Sequence, residues 1–245
     1  MHRAFLKTLT TNQKTVTLAD SSEIHHIKRV LRLKAGDAIT LFNGQGIEAK
    51  GKISSFSKNC VQIKIEKITS EKHTGPILTL ACAIPKKAKF QTIIEKCTEL
   101  EIDEIIPLAT KRTEVRLNEL QAQKKLIRYQ SVAINAAKQS KRKTIPVILP
   151  VADLKGALQQ IDKNTIAFIG CLDGNRKLLK SVLTEELKEK GRIIFFIGPE
   201  GDFTSEEIKS AIDSGCIPID LGKTVLKVDT AAISVVSFAR LLLYS

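Results

Sequence analysis

A chain of 245 residues with 43% hydrophobic side chains can bury one large or two modest cores, which excludes disorder. Five scattered cysteines without a Cys-x-x-Cys pair exclude a disulfide framework or zinc-finger spacing and indicate reduced thiols in the cytosol. The net charge of +13 is uneven: residues 1–74 carry 13 basic and 6 acidic side chains, residues 75–150 carry 14 and 7, and residues 151–245 carry 12 and 13. A nucleic-acid partner held by the first two segments fits this asymmetry, with a ligand held by the third. The N-terminus lacks the apolar stretch of a signal peptide, and no run approaches a membrane span.

The first seventy or so residues predict a small, mainly β unit. Asp20, Ser21 and Ser22 are candidate N-caps for a helix whose apolar positions are Ile24, Ile27, Val30 and Leu31. Strand patterns follow at 38–42, 47–55 and 61–65, and residues 69–75 read as a polar linker. Gly44-x-Gly46-x-x-Ala49 matches a dinucleotide fingerprint on spacing. Strand-like residues follow it, where that fingerprint needs a helix to receive a pyrophosphate, so a hairpin turn is expected. His25 and His26 are adjacent and cannot share a helix face as metal ligands would, and no metal site is indicated.

From Pro76 the rhythm becomes strand, helix, strand. A buried strand is expected over 77–84, then a helix with Phe90, Ile93, Ile94, Cys97 and Leu100 on one face. Further strands near 104–108, 145–149, 165–170, 192–197 and 216–221, with helices between most of them, predict a parallel α/β sheet. The helix expected over 118–142 places Lys124, Arg128, Ser131, Asn135, Lys138 and Arg142 on one polar stripe that could track a phosphate backbone. A solvated helix face presents the same pattern. Lys28, Arg29, Arg32 and Lys34 form a second basic group. Aromatic residues are only 4% with no Trp, so a folded RNA recognised by phosphates and shape fits better than stacked bases.

The apolar run 193–197 breaks into Gly198-Pro199-Glu200-Gly201 and restarts as a helix behind the capping box Thr204-x-x-Glu207. Cys216–Leu221 runs likewise into Gly222-Lys223-Thr224. A P-loop is excluded for the latter, because its earlier glycine would fall at Ile217. Any strand-to-helix turn can use Gly and Pro. Two such strand ends nevertheless suggest a small-molecule site at the carboxyl edge of a parallel sheet, with Glu200 facing ligand hydroxyls or a basic group.

With these residues assembled, the chain resembles the RsmE family of 16S ribosomal RNA (uracil-N3) methyltransferases, of the SPOUT superfamily. The resemblance runs through Arg3-Ala-Phe5, residues 25–37, 41–46, 94–100, 106–108, 136–140, 196–203 and 221–231. It implies a PUA-like RNA-binding β-barrel at 1–72. A SPOUT α/β methyltransferase domain with a C-terminal trefoil knot would follow at 76–245, in a cytoplasmic homodimer acting on 16S ribosomal RNA, within the small ribosomal subunit. S-adenosyl-L-methionine would be held by Cys171 and Leu172, by Ile197, Gly198, Pro199, Glu200 and Gly201, and by Leu221, Gly222, Val225 and Leu226. Backbone groups of these loops would read the adenine, and a side chain at Gly198 would fill space the ligand needs. Arg3 and Lys227 would stabilise the uracil anion, with Glu200, Asp229 or solvent taking the N3 proton. Arg112 joins Lys28, Arg29, Arg32, Lys124, Arg128, Lys138 and Arg142 as the implied RNA contacts. The chain departs from the family pattern at Asp202, where glycine is usual, at Thr224 and Lys227, where arginine is usual, and at Asp229, where glutamate is usual. Two alternatives stand beside this: an RNA-binding protein of the same fold without activity, and a methyltransferase of another RNA.

Overall fold

Alternation of buried and exposed side chains shapes the N-terminal part of the chain, whose structure is a computed structural model describing residues 2–86, 89–113 and 117–243. Two compact units result: Met1–His73 with Ala137–Ile145, and Thr74–Ala136 with Pro146–Ser245. The first holds β1 (His2–Phe5), β2 (Thr15–Leu18), α1 (Ser21–His25), β3 (Ala38–Phe42), β4 (Ile47–Phe56) and β5 (Val61–Ser70), in the sheet order β1-β3-β4-β5-β2. On β4, Ala49, Gly51 and Ile53 are buried while Lys50 and Lys52 are exposed, as period two requires. Among the three candidate caps, Asp20 accepts from the Ser22 and Glu23 amides. After α1 the backbone widens into a π-turn over His26–Val30. That extra residue per turn moves Val30 off the expected apolar face and leaves it 60% exposed.

The β3–β4 connection is the expected hairpin turn. The Asn43 side-chain oxygen accepts from the Gln45 and Ile47 amides, and Gly44 and Gly46 have φ of 75° and 96°. A Cβ at Gly46 would stand 2.2 Å from the Glu71 carbonyl oxygen, so no larger residue fits. Strand β5 runs on to Ser70 instead of stopping near 65. A register shift after Ile65 leaves Glu66 without a residue opposite it in the β4 ladder and breaks the alternation that sequence periodicity relies on. The segment 137–145 joins this unit because Thr144 bridges Gly44 and Gln45.

The second unit contains β6 (Ile77–Ala83), α2 (Lys89–Glu99), β7 (Glu104–Ala109), α3 (Glu119–Ser140, whose last residues pass into the first unit), β8 (Val147–Ile148), β9 (Ala152–Asp153) and α4 (Leu154–Leu158). It continues with β10 (Thr165–Gly170), β11 (Lys177–Leu178), α5 (Leu179–Val182), β12 (Arg192–Ile197), α6 (Ser205–Asp213), β13 (Cys216–Asp220) and α7 (Val228–Leu243). The sheet order is β11-β13-β10-β12-β6-β7-β8, with β9 on β7 and the strands parallel. Central strands of such a sheet are covered on both faces, which accounts for the unbroken apolar runs: Ile193, Ile194, Phe195 and Phe196 are fully buried, and Phe195 stacks on Phe168 with centroids 5.2 Å apart. The strand expected over 145–149 shortens to Val147–Ile148. The Val147 and Leu149 amides donate to the Asp103 and Ile105 carbonyls, whereas the Ile145 amide donates to Gly44 and so lies outside this ladder.

Candidate active site

Strands β12 and β13 flank β10 in matched register, Gly170 lying opposite both Ile197 and Ile219, so three strand ends finish level. The loops leaving them, 171–176, 198–204 and 221–227, therefore meet at one sheet edge and border a cavity of about 400 Å³. The carboxyl ends of parallel strands are where open α/β sheets place ligands. Of the residues expected to hold a cofactor, Cys171, Leu172, Ile197, Gly198, Pro199, Glu200, Leu221, Gly222, Val225 and Leu226 line this cavity. Gly201 does not; its carbonyl instead accepts from Arg112 at 2.6 Å, and Arg112 also donates to the Phe203 carbonyl at 3.4 Å. Arg112, expected on RNA, is exposed and also braces the 198–204 loop.

Four carboxylates line the cavity, at Asp173, Glu200, Asp202 and Asp220, against the cations Arg176 and Lys223. Leu172 and Val225 stand 43% and 75% exposed, offering apolar contact to a flat ring. Asp202, noted in the sequence only as a departure, connects two of the loops. Its backbone has φ of 59°, and its carboxylate accepts from the Leu172 amide at 2.8 Å and from the Phe203 amide at 2.8 Å. Arg176 donates to the Cys171 carbonyl at 3.1 Å, and the Gly222 amide donates to Asp220 at 3.1 Å. Several backbone groups expected to read an adenine are therefore paired within the protein. No periodicity marks such contacts, because they depend on loop conformation.

Gly198 also meets the protein itself: a Cβ there would lie 3.0 Å from the Phe203 ring and 3.2 Å from its amide, so Phe203 would have to give way to any side chain. At Gly222, φ is 132° and nothing lies within 4 Å of an added Cβ. Of the carboxylates considered for the proton, Glu200 borders the cavity and accepts from the Lys86 amide at 3.2 Å. Asp229, in the first turn of α7, lies 3.6 Å from the Lys89 ammonium and does not border the cavity. Lys227 is exposed just before α7, between the lining residues Leu226 and Val228.

Burial pushes the Cys171 thiol up to about 11, with Asp202 adding to the effect. At pH 8 roughly one thiol in a thousand is then ionised. Cys171 is expected to resist iodoacetamide at pH 8 while half-exposed Cys60 reacts, as peptide mapping of the alkylated protein would reveal.

In the first unit Arg3 is buried. It pairs with Glu48 at 2.9 Å, donates to the carbonyls of Ala137 at 3.4 Å and Arg142 at 3.1 Å, and lies 4.6 Å over Phe42. Arg3, expected to stabilise a uracil anion, thus has its two terminal nitrogens engaged within the first unit, while its Nε has no hydrogen-bond partner. The stripe expected along 118–142 holds only in part. Lys124 and Arg128 are exposed, the latter donating to Gln91 at 3.1 Å. Lys138 is sequestered by Glu23 at 2.6 Å. Arg142 lies past the helix end, where Lys141 has φ of 63°, and is buried with its Nε donating to Thr144 at 2.8 Å. Both residues, expected on RNA, are thus engaged within the first unit. Arg29 and Arg32 are exposed, and Lys28 donates to the Ser57 carbonyl at 2.7 Å. Among the described residues, no group of three or more His, Cys, Asp or Glu could hold a metal ion, and no helix is long and apolar enough to cross a membrane.

Residues 73–240 match the RNA methyltransferase domain family, and residues 18–66 match the RNA methyltransferase PUA domain. The chain is 31% identical over 228 residues to the ribosomal RNA small subunit methyltransferase E of Bacillus subtilis, covering 90% of this chain and 89% of that one. It is 33% identical over 223 residues to the protein of the same name from Synechocystis, covering 89% and 70%. The crystal structure of a ribosomal RNA small subunit methyltransferase E from Neisseria gonorrhoeae bound to S-adenosyl methionine aligns with a TM-score of 0.87 at 27% identity, over 99% of this chain and 98% of that chain. With the domain match spanning most of the second unit and two relatives above 30% identity along most of this chain, the chain belongs to the ribosomal RNA small subunit methyltransferase E family.

Proposed function

We propose that the chain methylates N3 of a uridine in 16S ribosomal RNA, using S-adenosyl-L-methionine held at the ends of β10, β12 and β13. The observation that carries this is the meeting of three loops around one cavity at a parallel sheet's carboxyl edge. The residues present suit that cofactor. Leu172 and Val225 offer apolar surface for an adenine, the carboxylates offer acceptors for ribose hydroxyls and for a positively charged group, and Gly222 leaves room for close approach. The bound cofactor supplies an electrophilic methyl group on a sulfonium.

What remains for the protein is to orient the uracil and assist loss of its N3 proton. Glu200, exposed at the cavity edge, is the carboxylate we assign to that proton. Lys227 is the cation we assign to the uracil oxygens, where negative charge develops as the proton leaves. The same reading carries closure of the first unit's sheet into a PUA-like barrel, domains at 1–72 and 76–245, a trefoil knot in the second, and a cytoplasmic setting. It also carries a homodimer, which the exposed Phe238 and Leu241 on α7 favour. The test is mass analysis of small-subunit rRNA from a strain lacking the gene, beside calorimetric titration with S-adenosylmethionine. One N3-methyluridine is expected to disappear and the cofactor to bind; an unchanged methyluridine inventory excludes the assignment.

A further inference from the structure

Strands β4 and β5 carry four lysines on one exposed face. Lys50 and Lys52 alternate with the buried Ala49, Gly51 and Ile53. Across the antiparallel ladder Lys64 lies opposite Lys52, and Lys67 lies opposite Lys50. The register shift at Glu66 brings this about: with strict alternation from Lys64, position 67 would turn to the buried side. Residues directly opposite in such a pair have Cβ atoms roughly 5 Å apart, and like charges there are destabilising. Among the described residues, Lys52 alone of the four has a carboxylate within ion-pair reach, Glu66 at 3.3 Å, with both side chains more than half exposed. A surface cost of this kind calls for an occupant.

Protection of a sheet edge is the usual reason for lysines on strands. It does not account for these, because β4 is the middle strand of five and Lys64 is paired on its other side with Thr15 of β2. Only Lys67, beyond the reach of β2, sits where an edge argument applies. The face also carries no aromatic side chain on which a base could stack. Lysines without aromatics suit phosphate contact, which positions RNA without reading its sequence.

We propose that this face is a docking surface for the ribose–phosphate backbone of the RNA substrate, whose charge relieves the facing lysine pairs. The proposal rests on the reading of the chain as an RNA methyltransferase and adds a binding surface to it. The test uses the full chain and a transcript of small-subunit ribosomal RNA, with binding measured across a salt series for the parent and for Lys50→Gln/Lys67→Gln. The variant is expected to lose about two from the slope of log affinity against log salt. Its affinity for S-adenosylmethionine is expected to stay at the parent value, and its melting temperature to hold or rise, since a repulsive pair has been removed. Lys52→Gln/Lys64→Gln is expected to lower the slope as well. Slopes equal to the parent's in both variants overturn the docking surface while leaving the enzyme assignment intact, and so does a lowered melting temperature with an unchanged slope. A parent without salt-dependent RNA binding overturns the docking surface, and the methyluridine inventory then decides the enzyme assignment separately.

Discussion

Lys138→Glu is expected to cost the folded protein about 3–5 kcal/mol, seen as a lowered midpoint in chemical denaturation, because it breaks a buried ion pair and sets two carboxylates together. Lys138 and Glu23 lie 2.6 Å apart with side chains 18% and 6% exposed, so little water is available to screen the repulsion. One Glu23 oxygen already has no hydrogen-bond partner, and losing the ammonium would strip the other. Replacing both residues with apolar side chains of similar volume is expected to be far milder than the single change, since no charge is then left buried. A midpoint unchanged in Lys138→Glu would show that the pair contributes nothing. RNA affinity measured on the single variant would report this destabilisation before any lost phosphate contact.

Asp202→Gly is expected to weaken S-adenosylmethionine binding by about tenfold, on the basis of hydrogen bonds to a charged group. The Asp202 carboxylate joins the Leu172 and Phe203 amides, which belong to two loops bordering the cavity. Glycine accepts the φ of 59° at least as readily as aspartate, so the substitution removes the tether without adding backbone strain. The loops would then have to be ordered at the moment of binding, and that ordering subtracts from affinity. Calorimetric titration of the two proteins checks it, and equal dissociation constants would mean the loops hold their shape unaided.

The strands at 165–170 and 192–197 were legible because a strand buried on both faces writes itself as an unbroken apolar run. The three loops were legible from glycine and proline at the ends of such runs, and most of the residues they contribute do line one cavity. What periodicity could not convey is which group faces a given side chain from a distant part of the chain. Lys138 and Arg142 satisfy the helix-stripe spacing, yet one meets Glu23 and the other lies beyond the last helical turn. Arg3 was tied to the chemistry by resemblance alone, whereas its guanidinium closes on Glu48 and two carbonyls. Asp202 was visible as an unusual residue, but its role exists only once the loops have folded against each other.

The first unit is sewn from two stretches of chain separated by more than sixty residues. During synthesis its N-terminal strands emerge long before the piece that supplies the acceptors for Arg3, the ammonium for Glu23 and the bridge at Thr144. Until position 145 has left the ribosome, a buried guanidinium and a buried carboxylate each lack part of their counterpart, which delays completion of this unit to mid-translation. For the same reason a fragment ending at position 73 is an incomplete object, and isolating the N-terminal fold would require residues 137–145 to be supplied in trans or through a linker.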